Sequence, residues 1–422
     1  MENFVKRMPR EGDSDELSPF ATERQARRIV KKEEYKVPTL DDITTLLKVV
    51  REESNVKAEV QQMQFTEKFP LHDYRLMLLP KEISHCIDKG DKLVFRGDSQ
   101  DEVVLCTASS SYFVKEVETS NALLIMPTLK VEGELTEAGE KFLTITPING
   151  LAQHYLELHK IPCVSLYRLR DLLHQNRLPW DWMEKDSPTD TYSMEMLLDH
   201  VQMSEEELTR ALAEMPVVEH NGRLRWLSNE LQDKFLNLIV EAFDDLDVPS
   251  INITHLTFSA LRSFLPEHIT DAIIQWFLTK MCTKMEEGDY NVNPDPFVRA
   301  RAAQLLRAVA RFEMKTFEKL LDEMLPVGIQ MESSHLLGIC VYSESVRGKF
   351  ISYLSVEDLP ENPRARLEVL FSMQKLWTLE EITPYLSDIC SDAREISVLL
   401  YGLCRSQHQP DGRKCFCSLR PV

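Results

Sequence analysis

Cys404, His408, Cys415 and Cys417 stand close together near the C-terminus, and all four are side-chain types that zinc accepts. Structural zinc sites usually space two cysteines by two to four residues. Cys415 and Cys417 are separated by Phe416 alone. That spacing suits thiols lining a hairpin better than a zinc shell, so no metal site is assigned. The same segment carries the cations Arg405, Arg413, Lys414 and Arg420. From Gly402 to Val422 there are 4 basic residues and 1 acidic, a net of +3 in a chain of net −19. From Glu184 to Asp247 there are 16 acidic and 5 basic residues, a net of −11. A polyanion is repelled by the second stretch and tolerated by the first, so any nucleic-acid contact belongs at the C-terminal end.

Catalytic chemistry has no foothold. A phosphate-cradling G-x-x-x-x-G-K-[ST] loop is missing: Gly348-Lys349 is followed by Phe350, and Ser343 stands where the first glycine should be. There is no G-x-S-x-G elbow, no H-E-x-x-H helix and no G-x-G-x-x-G turn. Glu205-Glu206-Glu207 and Glu380-Glu381 fall in first turns of expected helices, where carboxylates oppose the positive end of the helix dipole. The expectation is a protein that is not an enzyme and takes no cofactor.

The elements that position these residues are of two kinds. Leu93-Val94-Phe95, Val103-Val104-Leu105-Cys106, Tyr112 to Val117 and Leu123 to Met126 are strand-length apolar runs separated by polar turn residues. They predict a four-strand antiparallel meander whose two edges leave backbone groups unpaired. Arg75 to Leu79 leads in, a helical turn follows Pro80, and Lys141 to Ile145 is a candidate returning strand. After Pro162 the pattern turns helical, in three helix-then-hairpin units. Ser204 with Glu207 is a capping box, and Asn221-Gly222 is the strongest hairpin signal in the chain. Ile269, Ile273, Trp276 and Phe277 mark a second amphipathic helix, with Tyr290 to Asn293 as its wing. In the third unit Thr378 with Glu381 and Asp392 with Glu395 each open a helix, and Asp411-Gly412 turns the last hairpin.

Residues 1–36 alternate charge without apolar periodicity and are expected to be a disordered tail. Its cluster Arg24, Arg27, Arg28, Lys31 and Lys32 suits nuclear import or a solvated charge run equally. Leu40, Ile43, Leu46, Leu47 and Val50 then follow helical spacing. No apolar run approaches the roughly 20 residues that span a bilayer, and the N-terminus is too polar for a secretory signal. Nine scattered cysteines, most in apolar contexts, read as buried reduced thiols of a cytosolic or nuclear protein.

Arg96-Gly97-Asp98, Val103 to Cys106, Thr119-Ser120-Asn121 and Leu123 to Pro127, in that order, resemble the sister chromatid cohesion protein Dcc family. Asp358 to Glu361, Arg364 to Phe371, Trp377, Glu380 to Tyr385, Arg413-Lys414 and Ser418 to Pro421 agree with it. The resemblance spans roughly residues 70–422. It implies a non-catalytic, nuclear subunit of the alternative replication factor C clamp loader devoted to cohesion. The partners it implies are a small barrel-forming cohesion subunit and the loader's large ATPase subunit, with the replication factor C small subunits and PCNA reached indirectly. It further implies contacts with DNA polymerase epsilon and with DNA, and none with a membrane.

The expected fold is α+β: an antiparallel β-barrel half, completed by partner subunits, followed by tandem winged helices. The boundaries are a tail over 1–36, a helical lead-in over 37–62, the barrel over 63–161, and winged helices over 162–250, 251–313 and 314–422. Leu93, Phe95, Val103, Val104, Leu105, Leu123, Leu124 and Ile125 are the candidate partner-binding residues. Arg405, Arg413, Lys414 and Arg420 are the candidate DNA contacts, on the winged helix that touches DNA in the family. A transcription-machinery subunit, also able to combine a shared β-barrel with winged helices, is the alternative.

Overall fold

The computed structural model describes residues 41, 45, 48, 60–66, 74–130, 143–182, 191–244, 251–285, 288–346, 348–409 and 412–419. The expected tail, most of the helical lead-in and Arg420 lie outside the described residues. The protein is mixed α+β, and its chain divides into two compact units: Met1–Tyr74 with Ala122–Ala152, and Arg75–Asn121 with Gln153–Val422.

The β-rich part runs β1 (Val60–Phe65), β2 (Leu76–Leu78), α1 (Lys81–Lys89), β3 (Val94–Arg96), β4 (Val104–Cys106), β5 (Ser111–Ile125), β6 (Leu143–Ile148) and β7 (Gly150–Lys160). Five strands form a curled, open half-barrel in the order β2-β7-β5-β4-β3. β3, β4 and the start of β5 are antiparallel neighbours, whereas β2 lies parallel to β7. The third and fourth apolar runs of the expected meander are one 15-residue strand, β5. Thr119, Ser120 and Asn121 do not break it, because the Thr119 hydroxyl is held by the carbonyl oxygens of Asn121 and Gln153 at 2.6 and 3.0 Å. Helix α1 ends on Gly90 in the left-handed region and seats Ile83, fully buried, against Leu105, Tyr112 and Leu158. In the first unit β1 pairs in parallel with β6, so residues 60–62 are strand rather than the end of a helical lead-in.

The helical part repeats one order of elements: a helix, a short strand or bridging residue, two further helices and a hairpin. The first succession is α2 (Tyr167–His174), Tyr192, α3 (Met194–His200), α4 (Glu205–Glu214), β8 (Val217–His220) and β9 (Arg223–Trp226). The second is α5 (Asn229–Asp244), Leu256, α6 (Phe258–Phe264), α7 (Asp271–Met281), β10 (Cys282–Lys284) and β11 (Tyr290–Val292). The third is α8 (Pro294–Ala308), β12 (Phe312–Glu313), α9 (Met314–Met324), a 3-10 turn at Ser333–Leu336, β13 (Cys340–Ser345) and β14 (Gly348–Tyr353). The fourth is α10 (Pro363–Met373), β15 (Trp377–Thr378), α11 (Leu379–Ile382), α12 (Ala393–Leu403), β16 (Cys404–His408) and β17 (Lys414–Ser418). In all four the short strand or bridging residue pairs with the returning strand of the hairpin.

The residues thus carry four such successions where sequence patterning marks three. The additional one has no Asn-Gly or Asp-Gly at its turn, and its third helix shrinks to a single 3-10 turn, so neither hairpin nor helix periodicity announces it. The second and third successions share one apolar core, which also takes in Leu178, Val218 and Leu227 of the first; the first has a further core of its own, and that of the fourth takes in Val341 of the third.

Candidate partner and nucleic-acid interfaces

The eight candidate partner residues divide by burial. Val104 and Leu105 are 5% and 1% exposed, so both faces of β4 are covered by this chain's own atoms. They hold the sheet together and present nothing to a partner. Leu93 is half-buried against the same core, whereas Phe95 and Val103 are exposed. Leu123 and Ile125 are half-buried at the far end of β5, and Leu124 is exposed. β4 pairs with β5 over Ser111 to Phe113, with one further bond from Val114 N–H to the Val103 carbonyl. Among the described residues no strand flanks that side of β5 from Lys115 to Asn121.

In the first unit, patterning missed the residues that matter. β1 and β6 form a sheet of two strands, and Met63, Phe65 and Ile145 are each more than half exposed on it. Parallel pairs normally have both faces covered, and two strands alone are marginal in water. On the face of Met63 and Phe65 the polar group is well partnered: the Gln61 amide donates to the Lys130 carbonyl at 2.7 Å and accepts from the Lys130 N–H at 2.9 Å. Ile145 pairs with Gln62 and so lies on the other face, and Met63 and Ile145 leave exposed apolar side chains on both faces among the described residues. Alternating Met, Phe and Ile in short runs was the available signal.

The Arg96-Gly97-Asp98 motif forms a joint within the second unit. Arg96 donates to the Leu198 carbonyl, and Arg168 of α2 reaches both Asp98 and, at 2.7 Å, Asp101. The Asp98 N–H first, and the Arg168 guanidinium after it, hold the Asp101 carboxyl below its usual range. Gly97 has φ 142°, a backbone conformation that side chains other than glycine's rarely adopt, so the turn favours glycine there. The capping box of α4 completes the joint. Glu207 accepts from the Ser204 N–H at 2.9 Å and from the buried Ser111 hydroxyl at 2.6 Å. α4 is thereby fixed to the half-barrel, and it shows solvent Glu205, Glu206, Thr209, Arg210 and Glu214.

The third helix of each succession is the one a DNA-binding winged helix uses. α7 buries Ile273, Ile274, Trp276, Phe277, Leu278 and Met281, and the narrow face it leaves exposed, Asp271, Gln275 and Thr279, carries no cation to meet a phosphate. The 3-10 turn of the third succession is folded in, its His335 being 5% exposed and donating to Asp295 at 2.9 Å. α4 is acidic. α12 is different: Arg394, Val398 and Tyr401 face solvent, and its one outward carboxylate, Glu395, is engaged by the Ser391 N–H and hydroxyl at 2.6 and 2.7 Å. Arg405 on β16 and Arg413 and Lys414 on the returning arm are exposed beside it. The register sets Arg405 opposite Cys417 and His408 opposite Lys414.

The thiols do not converge. Cys404 and Cys415 are buried, and Cys417 is half-buried. Burial, with Cys417 nearby, pushes the Cys404 thiol up to about 12, so it is protonated at neutral pH. Among the described residues no three His, Cys, Asp or Glu side chains stand where they could hold a metal ion.

Residues 74–386 match the family described as "Sister chromatid cohesion protein Dcc1". A Xenopus laevis protein named sister chromatid cohesion protein DCC1 is 31% identical over 374 residues, covering 87% of this chain and 95% of its own length. The chain belongs to the Dcc1 family. A human family member of that name is 30% identical over 83% of this chain and 89% of its own length. A Saccharomyces cerevisiae one is 23% identical over 79% and 93%. The family match takes in the half-barrel, the Arg96-Gly97-Asp98 joint and three successions. It ends at Leu386, before α12 and the final hairpin.

Proposed function

We propose that this chain is a non-catalytic subunit of the alternative replication factor C clamp loader that acts in sister chromatid cohesion in the nucleus. Its half-barrel is completed by the small cohesion subunit and by the large ATPase subunit. Its four successions are winged helices: the acidic first faces DNA polymerase epsilon and the basic last faces DNA. Through the loader's small subunits it supports loading or unloading of PCNA. One observation carries the partner reading, the two-stranded sheet of β1 and β6 with Met63 and Ile145 more than half exposed among the described residues. Apolar strands in that state are what a second chain covers by adding its own. Family membership supports the cohesion role, and the bareness of α12 supports the DNA contact.

The test is to purify the full chain from its native source and identify its companions by mass spectrometry. The small cohesion subunit, the large ATPase and the replication factor C small subunits are expected. The double substitution Met63→Asp, Ile145→Asp should remove the small and large subunits while the helical part keeps its fold by circular dichroism. Companions drawn from RNA polymerase, with no replication factor C subunits, would replace this reading with that of a transcription subunit.

A further inference from the structure

Charge does not explain the outward face of α12. Val398 and Tyr401 are 71% and 60% exposed there, three residues apart on one side of the helix. A helix that reads duplex DNA carries Arg, Asn or Gln along that side, and α12 has Arg394 alone. Tyr401 is nonetheless held in place. Its ring meets Phe416 edge-on, with centroids 5.8 Å apart and planes at 72°. The Lys414 ammonium donates to its hydroxyl at 2.5 Å and lies 4.6 Å from its ring centre. β16 runs alongside with Arg405, Ser406, Gln407 and His408 exposed.

An ordered, open aromatic ring among cations is how proteins hold single strands: bases stack on the ring, and phosphates run along the cations. Paired bases inside a duplex cannot offer a face to such a ring. We infer that Tyr401 is a stacking platform for an unpaired base, and that the fourth succession prefers single-stranded DNA, or the single-stranded side of a junction, to duplex. The inference rests on reading this end of the chain as the nucleic-acid contact and adds which form of nucleic acid it takes. Val398 extends the apolar platform, and Lys414 and Arg405 receive phosphate. An acidic protein segment would also be drawn to the cations, but it would not need a flat ring presented to solvent.

The test uses the full chain, labelled oligothymidylate, an abasic phosphodiester of the same length and a duplex. Wild type should bind oligothymidylate tightest. Tyr401→Ala should weaken that ligand by roughly ten-fold, the range of one lost base–aromatic stack, and leave the abasic strand unchanged. The log–log salt slope should not move, because no charge is lost. Tyr401→Phe keeps the ring and drops the hydroxyl, and it should behave as wild type. Equal weakening of oligothymidylate and abasic strand by Tyr401→Ala, or Tyr401→Phe acting like Tyr401→Ala, would overturn the inference by making the residue a prop for Lys414. No change with any ligand would also overturn it and leave the face to a protein. The parent reading is tested separately by Arg405→Ala with Arg413→Ala. If all three ligands still bind as before, the phosphate contacts fail, whatever Tyr401 does.

Discussion

The first and fourth successions share one order of elements and differ in what their third helices show to solvent. α4 presents carboxylates, and its N-terminus is tied into the half-barrel through Glu207 and Ser111. α12 presents Arg394, Val398 and Tyr401 and is flanked by the cations of β16 and β17. On the proposed function the same scaffold meets a protein surface at one end and a polyanion at the other. A handful of outward side chains makes the difference, and the fold alone decides neither.

The two ends are joined by a shared ion network, and breaking it should have the largest effect. Arg366 of α10 is 1% exposed; it donates to both Asp388 oxygens and, at 2.8 Å, to the Tyr385 carbonyl. Arg170 of α2 reaches the same Asp388 at 3.3 Å. Arg366→Ala leaves Asp388 in a poorly solvated place with half its cations, at a cost of about 3–5 kcal/mol. Urea unfolding of the full chain measures it. A loss below about 1 kcal/mol would mean that water reaches the network freely.

Acid should loosen the same contact through His174. Burial first, then Arg177 and Arg170, bring His174 down to about 4, against an offset from Asp171. Its 3.9 Å approach to Glu357 is therefore not an ion pair at neutral pH. Between pH 6.5 and 4 the unfolded chain binds a proton at this position that the folded chain refuses. Stability is full above pH 6.5 and declines as pH falls toward 4, by at most about 3 kcal/mol. Glu357, raised by burial, opposes the decline at its acid end. His174→Phe keeps a ring against Trp226, which His174 meets edge-on at 4.3 Å, and removes the titration. Its unfolding midpoint should fall less steeply with acid than that of wild type. Parallel pH profiles would place the titration elsewhere.

The local devices of both successions were legible in sequence. Ser204 with Glu207 and Thr378 with Glu381 both form complete capping boxes, and Asn221-Gly222 both take positive φ, as a tight hairpin requires. Asp392 caps α12, but Glu395 turns back to Ser391 instead of closing the box. What sequence could not reveal depends on distant pairing. Arg168 meets Asp98 and Asp101 across about 70 residues, and β1 finds β6 across a longer gap. Burial was ambiguous for a related reason. An apolar run such as Val103 to Cys106 reads identically whether its residues meet a partner or, as Val104 and Leu105 do, their own core.

The smallest effect tests the charge half of the comparison. Arg413 and Lys414 lie on the exposed arm of the last hairpin, and no base-reading row of side chains accompanies them on α12. Their contribution should be to phosphate, indifferent to sequence and sensitive to salt. With four contacts at most, the wild-type log–log salt slope should be roughly −3 to −4. Arg413→Ala with Lys414→Ala should shallow it by about one unit each and weaken all sequences alike. Glu205→Lys with Glu206→Lys on α4 supplies the control, because it reverses charge on the succession that shares the architecture. If that reversal alone gave the first succession an equal salt slope, charge would suffice and the bare face of α12 would be incidental. If it does not, the face matters as well as the sign: α4 lacks the open aromatic ring that α12 offers, and the strand after it, β8, carries no Lys or Arg. The two variants, measured on one labelled duplex and one single strand, separate field from shape.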